Sequence, residues 1–317
     1  MKLPYKEFGF DEVRTYPLKS RRSKTRLDDF ARPYQRGTGL VGFVDALPKL
    51  LAGADFRRVV DALVRAHAVD AGIVWGLGAH VIKTGLSPVV IDLMERGFVS
   101  AVATNGAGMI HDFEVALAGA TSEDVDESLS TGRFGMAEET GRVLNQAIND
   151  GVKTGLGIGQ AVGRFLHEST PEHMNVSIFA AAHRLNVPVT VHVAIGTDVI
   201  HMHPQVSGSE LGVGSLRDFR YFVSSVAQLG RGVYLNCGSA VLLPEVFLKA
   251  VALVRNRGVE LRELTTINLD FIRHYRPQTN VVKRPTSSTG RGFSLVGHHE
   301  LLIPLLAAAL IERVEEP

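Results

Sequence analysis

The chain has 317 residues, 45% hydrophobic and 21% charged, and its 34 Lys and Arg against 33 Asp and Glu leave a net charge of +1. That length buries a large core, enough for one big α/β domain or two modest ones. The balanced charge gives no global electrostatic case for a nucleic-acid or membrane partner, and the single cysteine, Cys237, excludes a disulfide framework and a cysteine-only metal cage. No apolar run reaches the roughly 20 residues that span a bilayer. The first residues, MKLPYKEFGFDEVRTYPLKS, lack the apolar centre of a signal peptide, which points to a cytoplasmic protein.

Residues 1–50 read as a basic, poorly periodic arm, and residues 51–317 as one domain with regular patterning. The arm is either a solvated segment or one that closes over an anionic ligand or a neighbouring subunit. From Ala54 onward, Phe56, Val59, Val60, Leu63 and Val64 stand at helical spacing. AGIVWGLGA predicts a short buried strand. LSPVVIDLMERGF predicts a helix with Ser87 as N-cap, Pro88 in its first turn and Gly97 past its end. FVSAVAT is the next strand, followed by the small-residue turn Asn105-Gly106-Ala107-Gly108 and a helix from about Met109. Residues 122–185 read as mostly helical. VPVTVHVAIG, GVYLN and LTTIN predict three further strands, separated by helices over SLRDFRYFVSSVAQLG and LPEVFLKAVALVRNRG. The last helix, HELLIPLLAAALIERV, is interrupted by Pro304. At least five strands alternating with helices predict a doubly wound, mainly parallel α/β sheet of Rossmann-like type with helices on both faces.

In such a sheet ligands bind beyond the carboxyl ends of the strands. The five segments there are Gly76–Gly85, Thr104–Gly108, Ala194–Pro204, Asn236–Val241 and Ile267–Pro277, and four of them are rich in glycine and small polar residues. Glycine lets backbone amides approach a ligand, and helix N-termini favour negative charge, so the set predicts a dinucleotide cradle. Tight strand-to-helix turns use the same residues without a ligand. GLGIGQAVG, Gly155 to Gly163, imitates a dinucleotide fingerprint. Its spacing is wrong and no strand precedes it, so a helix start explains it better. Among the 12 histidines, His192, His201, His203, His298 and His299 are the candidates for a metal site, with Asp198 close to two of them. Hydrogen-bonded or substrate-contacting histidine is the competing reading. Lys283 is either an imine-forming lysine or a surface cation beside Arg284.

The run GAHVIKTGLSPVVIDLMERGFVSAVATNGAGMIHDFEVAL, Gly78 to Leu117, resembles the deoxyhypusine synthase family, with weaker echoes in AIGTDVIHMH, TTINLDF and RPQTNVVK in the same order. The resemblance covers roughly residues 50–312. It implies a homotetramer that binds NAD and passes an aminobutyl group from spermidine, through an enzyme lysine imine, to an acceptor amine. Carried over by position, Thr84, Gly85, Thr104, Asn105, Gly106, Asp112, Asp198, Thr266, Asn268 and Asp270 would hold the cofactor, and Lys283 would form the imine. Leu242-Leu243 stand where the family has a His-His pair, which leaves His298 and His299 as the candidate base. The segment IRHYRPQ is basic where the family is acidic. An NAD-using enzyme acting on an anionic substrate near Arg273, Arg276, Arg284 and Arg291 is therefore one alternative. A non-catalytic nucleotide-binding homologue is another, and a histidine-based metal hydrolase a third.

Overall fold

A computed structural model describes residues 3–314, so the outermost residues of the predicted arm and domain, 1–2 and 315–317, lie outside the described residues. Residues 3–38 are almost wholly exposed. A short helix, Gly39–Ala46, then packs on the body, where Arg57 donates to the carbonyls of Val44, Leu47 and Pro48 and ties the chain down.

The elements that follow, in chain order, are α1 (Leu51–Ala68), β1 (Ile73–Leu77), α2 (Ser87–Glu95), β2 (Ala101–Asn105), α3 (Gly106–Ala118), α4 (Leu144–Lys153), α5 (Ile158–Ser169), α6 (Ile178–Leu185), β3 (Val189–His192), α7 (Gly208–Ala227), β4 (Val233–Cys237), α8 (Leu242–Asn256), β5 (Thr265–Asp270), β6 (Arg291–Val296) and α9 (His299–Ile311). The six strands form one sheet in the order β3-β2-β1-β4-β5-β6, parallel at every pairing. This is the doubly wound α/β architecture, and its order reverses between β1 and β4.

Period-2 alternation divides the strand side chains between the two faces. Ile73, Trp75, Leu77, Val102 and Leu235 join one core with residues of α1, α2 and α9. Val74, Ala101, Ala103 and Tyr234 join the other with Phe222 of α7 and Phe247 of α8. Covered on both sides, β1 and β4 are buried at every residue, which is why β1 reads as an unbroken apolar run and β4 breaks only at Asn236. Each fully buried Leu, Val or Phe contributes roughly 2 kcal/mol relative to exposure.

The structure departs from the sequence expectation at three places. The predicted four-residue turn after β2 does not exist: Asn105 ends the strand and caps α3, its Oδ1 accepting from Gly108 N at 2.9 Å, so Gly106 and Gly108 lie in the first helical turn. A sixth strand, β6, lies at the sheet edge, and its mixed burial hides it from an apolar-run reading. Pro304 lies inside α9 without ending it. A wide π-helical turn, Glu139–Val143, leads into α4. Among the described residues no helix is long and apolar enough to cross a membrane.

Candidate functional site

The carboxyl ends of β1 and β4 meet at the reversal point, where Gly78 N donates to Cys237 O at 2.8 Å. An imidazole cluster lies here. The His299 ring is edge-on to His80 at 5.8 Å, and His298 stacks on Phe271 at 6.3 Å. His299 is buried and its Nε2 lies 3.0 Å from Leu269 O. A carbonyl only accepts, so Nε2 carries the proton and Nδ1 is left as an unpartnered acceptor. Cys237 is buried, and burial pushes its thiol well above the ordinary range, so it is no nucleophile.

A short helix after β1, Ala79–Lys83, carries His80 to this cluster and Lys83 to a neighbouring cavity of about 450 Å³. The cavity opens beyond β1, β2 and β3. Its walls bring Lys83, His111, Glu114, Glu123, Thr140 and Asp198 together. Asp198 closes one side at the N-terminus of α3, and a Cβ on Gly106 would fall 2.1 Å from its Oδ2. Burial raises the Asp198 carboxyl above its ordinary value, opposed by His201 and the Ala107 amide. The His201 Nδ1 accepts from Gly196 N and Asp198 N at 3.1 and 3.2 Å, which puts the ring proton on Nε2. That Nε2 and Asp198 Oδ2 are both buried, 3.9 Å apart, and neither has a hydrogen-bond partner. Both atoms are closed to solvent, so a hydroxyl group could bridge them, accepting from Nε2–H and donating to Oδ2, only where the two side chains part.

Of the residues singled out by sequence, Gly106, Asn105 and Asp198 gather at this cavity edge, and His298, His299 and Asp270 at the reversal point. The others serve the fold. Thr104 is buried and donates to Leu77 O at 2.8 Å. Thr84 bonds back to His80 O at the end of the short helix, and Gly85 follows in a left-handed turn at φ 77°. Asp112 points away from the cavity. Its carboxylate accepts from Ser177 Oγ, Ile178 N and Phe179 N and so caps α6, while burial pushes its carboxyl up to about 6. Asn268 is buried mid-strand against Asn236.

Thr266 and Lys283 are at the wrong end of the sheet. Thr266 donates to Val281 O at 2.7 Å and pairs with Gly292, the second residue of β6, and Gly292 itself lies against Val282 O. Lys283, exposed, therefore lies near the amino edge, about 13 Å from the carboxyl end of β5 by strand length. The structure does not bring it to the histidines.

His201 and His203 do not share a face. They follow a 3-10 turn rather than an extended segment, and His203 Nε2 bonds Gly135 O at 2.8 Å instead. His192 is buried and burial drives it down to about 3, so it stays neutral. Among the described residues no three His, Cys, Asp or Glu side chains gather as a metal site would need.

Sequence reasoning passed over His111, Glu114, Thr121 and Thr140. His111 and Glu114 stand three apart on α3, a spacing visible in the sequence. Thr140 reaches Glu114 from the π-turn, a contact no local pattern announces.

No family model matches the sequence, and no curated protein matches it. Solved structures do resemble it. An LOR/SDH-like protein from Methanococcus maripaludis S2 is 16% identical over 83% of this chain and 71% of that one, with a TM-score of 0.53. AgrE, solved in complex with ornithine and NAD+, is 15% identical over 81% of this chain at a TM-score of 0.54, but this chain spans only 32% of AgrE. A deoxyhypusine synthase-like protein from Entamoeba histolytica is 12% identical over 89% of this chain and 96% of that one, at a TM-score of 0.50. The likeness shows the fold, and the fold is the one the sequence resemblance implied.

Proposed function

We propose that the chain is an NAD-dependent enzyme acting on a small amine, with the dinucleotide along the carboxyl edge and the amine in the cavity beside α3. The observation that carries this is the orphaned pair Asp198 Oδ2 and His201 Nε2 at the start of α3. A ribose hydroxyl would satisfy both at once where NAD binding parts the closed pair, and AgrE, of similar fold, was solved with NAD+. When bound, the nicotinamide supplies a hydride acceptor. Asp198 and His201 would hold the ribose, and the imidazole cluster at the reversal point would border the rest of the cofactor. The carboxylates of Glu114, Glu123 and Asp198 outnumber the single ammonium of Lys83 around the cavity, a field that gathers cations. This favours an amine over the anionic substrate that the arginines near Lys283 suggested.

Lys83 supports a second reading. A cavity lysine is placed to form the imine of an aminoalkyl transfer, the role that the family resemblance gave to Lys283. The two readings separate in one experiment. NAD binding is measured by calorimetry, and the protein is then incubated with NAD and spermidine or 1,4-diaminobutane, followed by borohydride and peptide mass spectrometry. Reduced nicotinamide without an adduct supports dehydrogenation alone. A butylamine adduct on Lys83 supports transfer. An adduct on Lys283 overturns the placement of the site, and absence of NAD binding sinks both readings.

A further inference from the structure

We infer that His111 is the proton acceptor of the cavity, its Nε2 kept free of a proton by a relay through the Thr121 hydroxyl to the Glu114 carboxylate. The inference rests on the amine reading of the cavity, and the relay itself rests on hydrogen-bond accounting.

Both oxygens of Glu114 are engaged. Oε1 accepts from Thr140 Oγ1 at 2.9 Å, and Oε2 accepts from Thr121 Oγ1. Thr121 has one hydroxyl proton, and it goes to Glu114. Only its lone pairs then face His111 Nδ1, 2.7 Å away. Nδ1 must therefore be the N–H donor, and in the neutral ring the lone pair falls on Nε2. Among the described residues nothing bonds to Nε2, and the ring lines the cavity. Burial alone would raise the Glu114 carboxyl. The nearby His111 ring, its Nδ1 3.8 Å from Oε2, and the hydroxyls of Thr121 and Thr140 outweigh it and hold the group below its ordinary value, ionised and able to balance an imidazolium.

The local fold explains the arrangement. His111 and Glu114 share one side of α3 at i, i+3. Gly119, in left-handed conformation at φ 66°, ends the helix and turns the chain so that Thr121 comes back over both side chains.

The chemistry needs such a group. An amine enters as its ammonium ion, which has no lone pair and can neither be oxidised nor add to a carbon. One N–H bond of the ammonium breaks, its electron pair stays on nitrogen, and the proton passes to Nε2, leaving a neutral amine and an imidazolium beside Glu114.

The test begins with the tautomer and needs neither cofactor nor substrate. The protein is labelled with 15N-histidine and the ring nitrogens are read by long-range proton–nitrogen correlation where the ring is neutral, with His111→Gln assigning the signal. A proton on Nδ1, the minor form of a free imidazole, is expected. A proton on Nε2 overturns the inference. Thr121→Val should return the ring to the Nε2–H form and Thr121→Ser should keep it on Nδ1. An unchanged tautomer in Thr121→Val removes the relay as the cause, and Thr121→Ser carries the comparison if the valine variant does not fold. The second measurement concerns catalysis. His111→Gln should bind NAD within about threefold of the parent while amine turnover falls about 10²- to 10⁴-fold. Turnover at the parental rate overturns the proton-accepting role. A parent that binds no NAD defeats the proposed function instead, and the tautomer still decides the relay.

Discussion

Two helices of this protein begin against a buried aspartate, and they use it differently. At α5, Asp218 Oδ2 accepts from Gly159 N at 2.9 Å and Val191 N at 2.8 Å, so one carboxylate joins the helix start to β3. Burial pushes its carboxyl up to about 7 against the pull of the Val191, Gly159 and Ile158 amides. At α3, Asp198 covers the helix start in the same way but leaves Oδ2 without a hydrogen bond, with the equally orphaned His201 Nε2 across from it. The first aspartate finishes the fold. The second leaves a donor and an acceptor unmet, though buried, at the carboxyl edge of the sheet. Glycine near a helix start therefore says only that something anionic comes close, and unmet hydrogen-bonding capacity separates a cap from a ligand site.

The contrast can be broken most strongly at α5. A Cβ on Gly159 would lie 2.0 Å from the Val189 backbone carbonyl, which cannot swing aside, so Gly159→Ala should cost about 3 kcal/mol in urea unfolding. Asp218→Ala should cost about the same at pH 5 by stranding buried amides. Its cost should shrink toward pH 7: the folded carboxyl titrates at about 7 against an ordinary 3.8, so the stability it contributes is full below about pH 4 and declines as pH rises through that window. A cost that grows with pH would refute this account. At α3 the obstacle is a side chain. Gly106→Val should leave the fold intact and weaken NAD about 100-fold by calorimetry, and unchanged affinity would remove the cofactor from this edge. Asp198→Ala should weaken NAD about tenfold yet cost less stability than Asp218→Ala, because only the Ala107 amide loses a carboxylate partner, against three amides at Asp218. The smallest effect belongs to Lys283→Ala, expected within about 0.5 kcal/mol and without change in NAD affinity, since the side chain is exposed at the far edge.

The first five strands were legible from short apolar and β-branched runs, unbroken in Ile73–Leu77 and mixed with threonine and asparagine in Thr265–Asp270. The edge strand β6 was not, since only Phe293 and Leu295 of Arg291–Val296 are buried. That omission misplaced Lys283. With no strand after it, the segment reads as leading into α9 at the carboxyl edge. With β6 in place, the same segment must descend to the amino edge first. Asp198 was found from its closeness to His201 and His203 in sequence and from the family resemblance, whereas the partners of Glu114 come from a chain reversal past Gly119 and from a π-turn, neither of which has a periodic signature. GLGIGQAVG was legible as a helix start, although nothing in its sequence names Asp218 as the anion that meets it.

The wide turn Glu139–Val143 has a further consequence. It holds one more residue per turn than the α-helix it feeds, and Gly141 there leaves room for the His203 ring, whose Nδ1 lies 1.7 Å from where a Cβ would stand. Each residue of an α-helix advances the chain by about 100°. Deleting one residue from the turn would rotate the turn residues ahead of the deletion by that angle relative to α4 and swing Thr140 off Glu114. The turn is thus a point at which an insertion or deletion could retune the cavity chemistry in lineage or laboratory without rebuilding the core.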